Sequence, residues 1–179
     1  MSQRIAYFDC FSGASGDMLV GAMLDAGLSL EALQAELAKL PLAGYRVACE
    51  RRTQQHLAGT KFSVHITHAE HHHRHLEDIE TLFAGSSLPA EDVARILAVF
   101  RRLARAEAKA HGTSIEEVHF HEVGAVDSIV DIAGAVIGLR LLDVERVYAS
   151  PLPLGSGTVQ TSHGLLPVPV PATLELLAE

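Results

Sequence analysis

Apolar residues recur at three-and-four spacing along most of this chain but at every second position in one stretch, and that switch of period restricts it to a mixed α and β fold. The alternating stretch covers residues 45–50 and 60–67, separated by polar residues and Gly59, and predicts an antiparallel pair of strands. Helical spacing holds on both sides of it. Met18, Leu19, Ala22, Met23 and Ala26 form one stripe ended by Gly27. Leu30, Leu33, Leu37 and Leu40 form a second, behind a Ser29 cap and before Pro41. Leu76, Ile79, Leu82 and Phe83 predict a short helix ending at Gly85. Pro89 opens the longest helix, which carries Val93, Ile96, Leu97, Phe100, Leu103 and Ala104, with Glu91 and Asp92 suiting its N-terminal dipole, and closes at Gly112.

The spacing of Thr113 and Glu116 predicts a capping box, and a further helix is expected over residues 126–142. Residues 4–10 and the segment from Arg146 read as strands. Residues 164–171 are expected to be extended because repeated prolines exclude helix, and Thr173 opens a last helix. The expected architecture is α/β in the α+β sense, a small mixed sheet of about four to five strands covered by four to six helices. Without an internal repeat or flexible linker, residues 1–179 read as a single domain. The helix opened at Thr173 suggests the N-terminal part of a longer parent.

Composition narrows the function classes. Of 179 residues 48% are apolar, which supports a core and excludes global disorder. With 14 Lys+Arg against 22 Asp+Glu the net charge is −8, and the cations are dispersed, so neither nucleic acid nor a membrane surface is an expected partner. No apolar run reaches the roughly 18–20 residues that span a bilayer, and the first residues lack a signal-peptide core, so the expected location is the cytoplasm. Cys10 and Cys49 read as reduced thiols. The outlier is histidine. The chain holds 11, seven of them between His56 and His75.

The densest polar cluster is His119, His121 and Glu122, followed by Asp127 and Asp131. In an extended segment His119 and His121 share a face, and Asp127 and Asp131 share a face of the following helix. Imidazoles and carboxylates converging this way suit a divalent transition metal such as nickel, zinc or manganese. Alternatively, the acids are ordinary first-turn residues and the histidines lie on a strand surface. The tract of His68, His71, His72, His73 and His75 is expected to be a loop that captures late divalent metals. At the other end, residues 9–17 place Gly13, Ser15, Gly16 and Asp17 between a strand and a helix N-terminus. Exposed amides there suit a phosphate, unless the turn is merely tight with Ser15 as helix cap, or Asp9 and Asp17 hold a bridging cation. Gly16→Val is expected to abolish anion binding and leave the fold largely intact. His163 lies beside a glycine-rich loop that could fold over a ligand.

Taken together, residues 7–18, the His-rich loop ending at residues 74–79, residues 106–112, residues 118–132 and residues 150–157 resemble the LarC family, the nickel insertion proteins of nickel-pincer cofactor biosynthesis. The resemblance spans the chain. It implies a cyclometallase, a nickel-inserting lyase that places nickel in pyridinium-3,5-bisthiocarboxylic acid mononucleotide through one nickel–carbon and two nickel–sulfur bonds. It further implies CTP hydrolysis with Mg or Mn, a C-terminal CTP-binding region that this chain lacks, and a lactate racemase-type client. A homo-oligomer is expected, and the fragment alone is expected to be incapable of complete turnover. On this basis His119, His121, Glu122 and Asp127 are assigned to the metal, with His71, His72, His73 and His75 for capture. Gly13, Ser15, Gly16 and Asp17 are assigned to the substrate phosphate, and the base is one of Glu122, Asp131 and His163. The competing readings are a noncatalytic nickel chaperone or store, and a divalent-metal phosphohydrolase.

Overall fold

A computed structural model describes residues 3–54, 56–67, 74–120, 125–161 and 164–178. In chain order the elements are β1 (Ile5–Phe8), α1 (Gly16–Asp25), α2 (Leu30–Leu37), β2 (Tyr45–Gln54), β3 (Leu57–Ile66), α3 (Leu76–Ala84) and α4 (Ala90–His111). A 3₁₀ turn (Ile115–Glu117), α5 (Val126–Leu141), β4 (Arg146–Ala149), β5 (Thr158–Thr161), β6 (Gly164–Pro167) and α6 (Pro171–Leu177) follow. The fold is mixed α and β as the change of period requires.

The sheets differ from expectation in one respect. Among the described residues the six strands pair two by two, β1 with β4, β2 with β3 and β5 with β6, instead of forming one mixed sheet. β1 and β4 run parallel with Ile5 opposite Arg146, which ties the N-terminal strand to the segment that follows α5. The ribbon of β2 and β3 is antiparallel and longer than the apolar alternation: Gly59 lies within it, opposite Arg52. Its outer half is polar because it is exposed, so burial could not impose a two-residue period there. Arg51 pairs with Asp25 of α1, and Thr60 Oγ1 donates to the same carboxylate at 2.7 Å, securing the polar half of the ribbon.

Helix ends follow local chemistry. Ser29 Oγ accepts from the Ala32 amide at 3.1 Å. Gly112 ends α4 in the left-handed conformation at φ +67, where a side chain would be strained. The capping box falls one residue later than expected, on Ser114 and Glu117, with Thr113 donating to Glu117 at 2.5 Å. α6 begins at Pro171, two residues before Thr173, because proline's fixed φ suits the first helical position.

α5 is the central element: α1, α2, α4 and β3 all pack on it. It buries Ile129, Val130, Ala133 and Ile137, and the core continues through Leu33, Phe62, Ile79, Phe83, Ile96 and Phe100. Gly134 and Gly138 of α5 form the groove for α1. A Cβ on Gly134 would lie 3.2 Å from Val20, and one on Gly138 would lie 2.8 Å from Met23. Glycines inside a helix, which cost about 1 kcal/mol each against alanine, are thus explained by close helix approach. Asp92 is the exception in the core. It is 1% exposed and accepts from Arg140 Nε at 2.6 Å, while Arg140 Nη2 donates to Glu36 at 2.6 Å. This acid sits in the first turn of α4 as expected, but its setting is a buried ion pair with α5.

Candidate functional site

The turn between β1 and α1 is held at several points. The Cys10 amide donates to Ser150 Oγ at 2.8 Å, and the Gly13 amide donates to the Cys10 carbonyl at 2.9 Å. Gly13 adopts φ +94 with nothing within 4 Å of a would-be Cβ, so its backbone is open to a ligand. Ser15 occupies the N-cap position, but its hydroxyl donates to the Asp17 carboxylate instead of bonding the helix backbone. Asp17 Oδ1 also accepts from the Met18 amide at 2.9 Å.

Gly16 faces α5. A Cβ there would lie 2.5 Å from Asp131 Cβ, a distance that side chains do not tolerate, and 3.0 Å from its Oδ2. The expectation that Gly16→Val would spare the fold is therefore corrected: this glycine lets the first turn of α1 approach the second turn of α5, and any side chain must push them apart.

That approach creates the most unusual group in the described structure. Asp131 Oδ1 is buried and has no hydrogen-bond partner. Burial, followed by the neighbouring Asp17 and Asp127 carboxylates, raises its pKa to about 6, against a smaller opposing effect from the Asp17 amide. Asp127 itself is exposed and accepts from the Ser128 amide at 2.8 Å. Three carboxylates from the first two turns of two helices thus come together, and burial holds one of them where it gains or loses a proton near pH 6.

Beside Cys10 lies a cavity of about 250 Å³ between the β1–β4 pair and helices α1 and α5, lined by Phe8, Cys10, Leu19, Met23, Leu139 and Leu152. It offers no charged group to a phosphate.

The segment 118–120 alternates as expected of an extended chain: Val118 and Phe120 are buried and His119 is exposed. Phe120 packs edge-on against Phe100 with ring centroids 6.2 Å apart, anchoring the segment to α4. Its amide donates to the Arg74 carbonyl at 3.1 Å. Across this bridge the His75 and His119 rings meet with centroids 4.0 Å apart. His75 is the N-cap residue of α3, and its amide donates to Asp78 Oδ2 at 2.8 Å.

The structure brings Asp17, Asp127 and Asp131 together, and separately His75 and His119. Among the described residues no group of three or more His, Cys, Asp or Glu side chains is arranged to hold one metal ion. His121, Glu122, His163, His71, His72 and His73 lie outside the described residues. Local spacing missed the His75–His119 contact because the partners come from distant segments; the only signal was that each lies in a histidine-bearing motif. Also among the described residues, no helix is long and apolar enough to cross a membrane.

Comparison with known proteins gives the class of this mixed α and β domain, the nickel insertion proteins. The sequence profile described as nickel insertion protein matches residues 6–179, and the chain belongs to that family. It is 54% identical over 174 residues to the pyridinium-3,5-bisthiocarboxylic acid mononucleotide nickel insertion protein of Desulfitobacterium hafniense, covering 97% of this chain and 43% of that protein. It is also 54% identical over 175 residues to a putative nickel insertion protein of Roseiflexus castenholzii, covering 98% of this chain and 44% of that one. The chain spans less than half the length of these relatives. No solved structure matches it.

Proposed function

We propose that this chain supplies the metal- and substrate-handling part of a protein that inserts nickel into pyridinium-3,5-bisthiocarboxylic acid mononucleotide, with Asp131 as the base. Membership in the nickel insertion family and the name of the 54% identical Desulfitobacterium hafniense relative support the reaction. One observation carries the role of this domain: the buried, unpartnered Asp131 Oδ1 with a pKa of about 6. Forming a nickel–carbon bond at a ring carbon breaks a C–H bond, and the proton must leave to a base whose pKa lies near the working pH. Asp131 meets that requirement. Glu122 and His163 are the other candidates from the sequence.

Nickel is the substrate metal in this reading. His119, His121, Glu122 and Asp127 are proposed to bind it while it is inserted, and the histidine tract to collect it. Imidazole and carboxylate ligands release nickel to thiocarboxylate sulfurs more readily than a thiolate cage would. The substrate phosphate is proposed to approach the open backbone at Gly13, with Ser15, Gly16 and Asp17 shaping the turn. CTP with Mg or Mn is proposed to act in the region that the relatives carry in addition, the product to serve a lactate racemase-type client, and the setting to be the cytoplasm.

The test is to incubate the full-length parent with nickel, CTP and the thiocarboxylated pyridinium mononucleotide and to detect the metallated product by mass spectrometry. Wild-type parent should form it, and Asp131→Asn should lower its rate by at least about a hundredfold, the scale of a lost general base. Wild-type rates in Asp131→Asn would remove Asp131 from the chemistry.

A further inference from the structure

Most of the exposed large apolar side chains among the described residues fall in two stretches, 5–18 and 147–165, and the β1–β4 pairing joins those stretches. We propose that β1 and β4 are the first two strands of a larger sheet, completed by the part of the parent, in the same molecule, that lies outside these 179 residues. The proposal rests on family membership alone and not on the reaction above.

Neither strand carries the pattern of a surface edge. β1 consists of Ile5, Ala6, Tyr7 and Phe8, and β4 of Arg146, Val147, Tyr148 and Ala149, with a charge at one end only and no proline. Strands that stay exposed are usually blunted by charges, and this chain does so elsewhere: the outer half of the β2–β3 ribbon places Glu50, Arg51, Arg52 and Lys61 in solvent. Apolar runs such as β1 and β4 belong inside parallel sheets, which are covered on both faces. Yet the pair has no third strand among the described residues, and Ile5 and Tyr7 are 55% and 63% exposed, Val147 and Tyr148 50% and 48%.

The register separates the two faces. Tyr7 lies opposite Tyr148, so both rings stand on the outer face, where Ile5 continues the same row. Ala6 and Phe8 lie opposite Val147 and Ala149, on the face turned to α1 and α5. That inner face is itself incompletely filled, since Phe8, Val147, Ala149 and Leu152 wall the apolar cavity of about 250 Å³. A cavity with apolar walls offers water no hydrogen bonds, so side chains are its natural filling. Both faces and both edges of the pair therefore remain to be covered.

Strand direction and chain length identify the occupant. A third strand joining a parallel sheet needs a crossover connection, which one chain supplies to itself. The relatives carry the necessary length: the match covers 43% of the Desulfitobacterium hafniense protein, so more than half of that protein lies outside it. A tethered segment also meets the face at high effective concentration and keeps it covered permanently, as an apolar patch of this extent requires. A second copy fits less well, because a two-fold axis through a shared edge normally sets the strands antiparallel and each copy carries a net charge of −8.

The test uses the full-length parent and two readouts. In hydrogen–deuterium exchange the amides of β1 and β4 should exchange at least about a hundredfold more slowly than those in the outer half of the β2–β3 ribbon, which serves as the exposed reference in the same molecule. Protection no greater than that of the ribbon, or protection lost when the protein is diluted, would overturn the proposal. The second readout replaces Tyr148 by photoreactive p-benzoylphenylalanine, which keeps an aromatic ring on the outer face. Irradiation should join this position to a peptide outside residues 1–179, and in a mixture of isotopically heavy and light parents the joined peptides should be all heavy or all light. Links between heavy and light molecules, or links confined to residues 1–179, would overturn the proposal as well, the former by giving the face to a second copy.

Discussion

Replacing Gly16 by alanine tests whether the approach of α1 to α5 is set by the missing side chain. In most helices the substitution stabilises, because alanine restricts the unfolded chain by about 0.4–1 kcal/mol. Here the new Cβ would lie 2.5 Å from Asp131 Cβ, an atom bonded directly to the α5 backbone that no rotamer change can move. One or both helices must shift, and overpacking of this kind costs roughly 1–3 kcal/mol. The net expectation is a loss of about 1–2 kcal/mol, or a melting temperature lower by roughly 2–8 °C for a domain of this size. Thermal melting of Gly16→Ala against wild type reads it directly. Two companions sharpen the result. Gly59→Ala, where nothing lies within 4 Å, should leave stability nearly unchanged. Asp131→Ala should give Gly16→Ala no relief, since it keeps the Cβ that makes the contact. A melting temperature at or above wild type in Gly16→Ala, or rescue by Asp131→Ala, would refute the packing argument.

Asp131 should also leave a pH signature. Its folded pKa is raised from 3.8 to about 6, so the folded state binds the extra proton more tightly and stability should fall as pH rises from about 4 to 6, then level off. Urea denaturation of Asp131→Asn at several pH values should show that part of the slope missing; an unaltered slope would contradict the assignment. Arg140→Leu leaves Asp92, 1% exposed, as a buried charge without its guanidinium, and should cost about 3–5 kcal/mol in denaturant unfolding. Glu36→Gln, at the more exposed end of the same network, should cost less, and equal losses would count against burial as the cause.

Helix positions and ends were legible from residue order. The Leu30, Leu33 and Leu37 stripe, the Ser29 cap and the left-handed Gly112 need only near neighbours to form, so local spacing reports them. The motif at residues 118–132 likewise pointed to metal chemistry and to the family, because its residue types are specific in combination. The polar half of the β2–β3 ribbon escaped notice, since exposed strands carry no burial pattern.

What tertiary structure decided is which distant groups meet. The period of a helix names the face it buries but not the partner, so nothing local could show that β1 pairs with β4, or that Gly16 packs against Asp131. The same holds for Asp92, a routine first-turn acid by sequence and a buried partner of Arg140 in the fold. Sequence alone supplied the chemistry of each residue: carboxylates, imidazoles and glycines in recognisable order. Their pKa values and distances come from desolvation and from neighbours far along the chain, as at Asp131 and at the His75–His119 contact, and those exist only once the chain has packed.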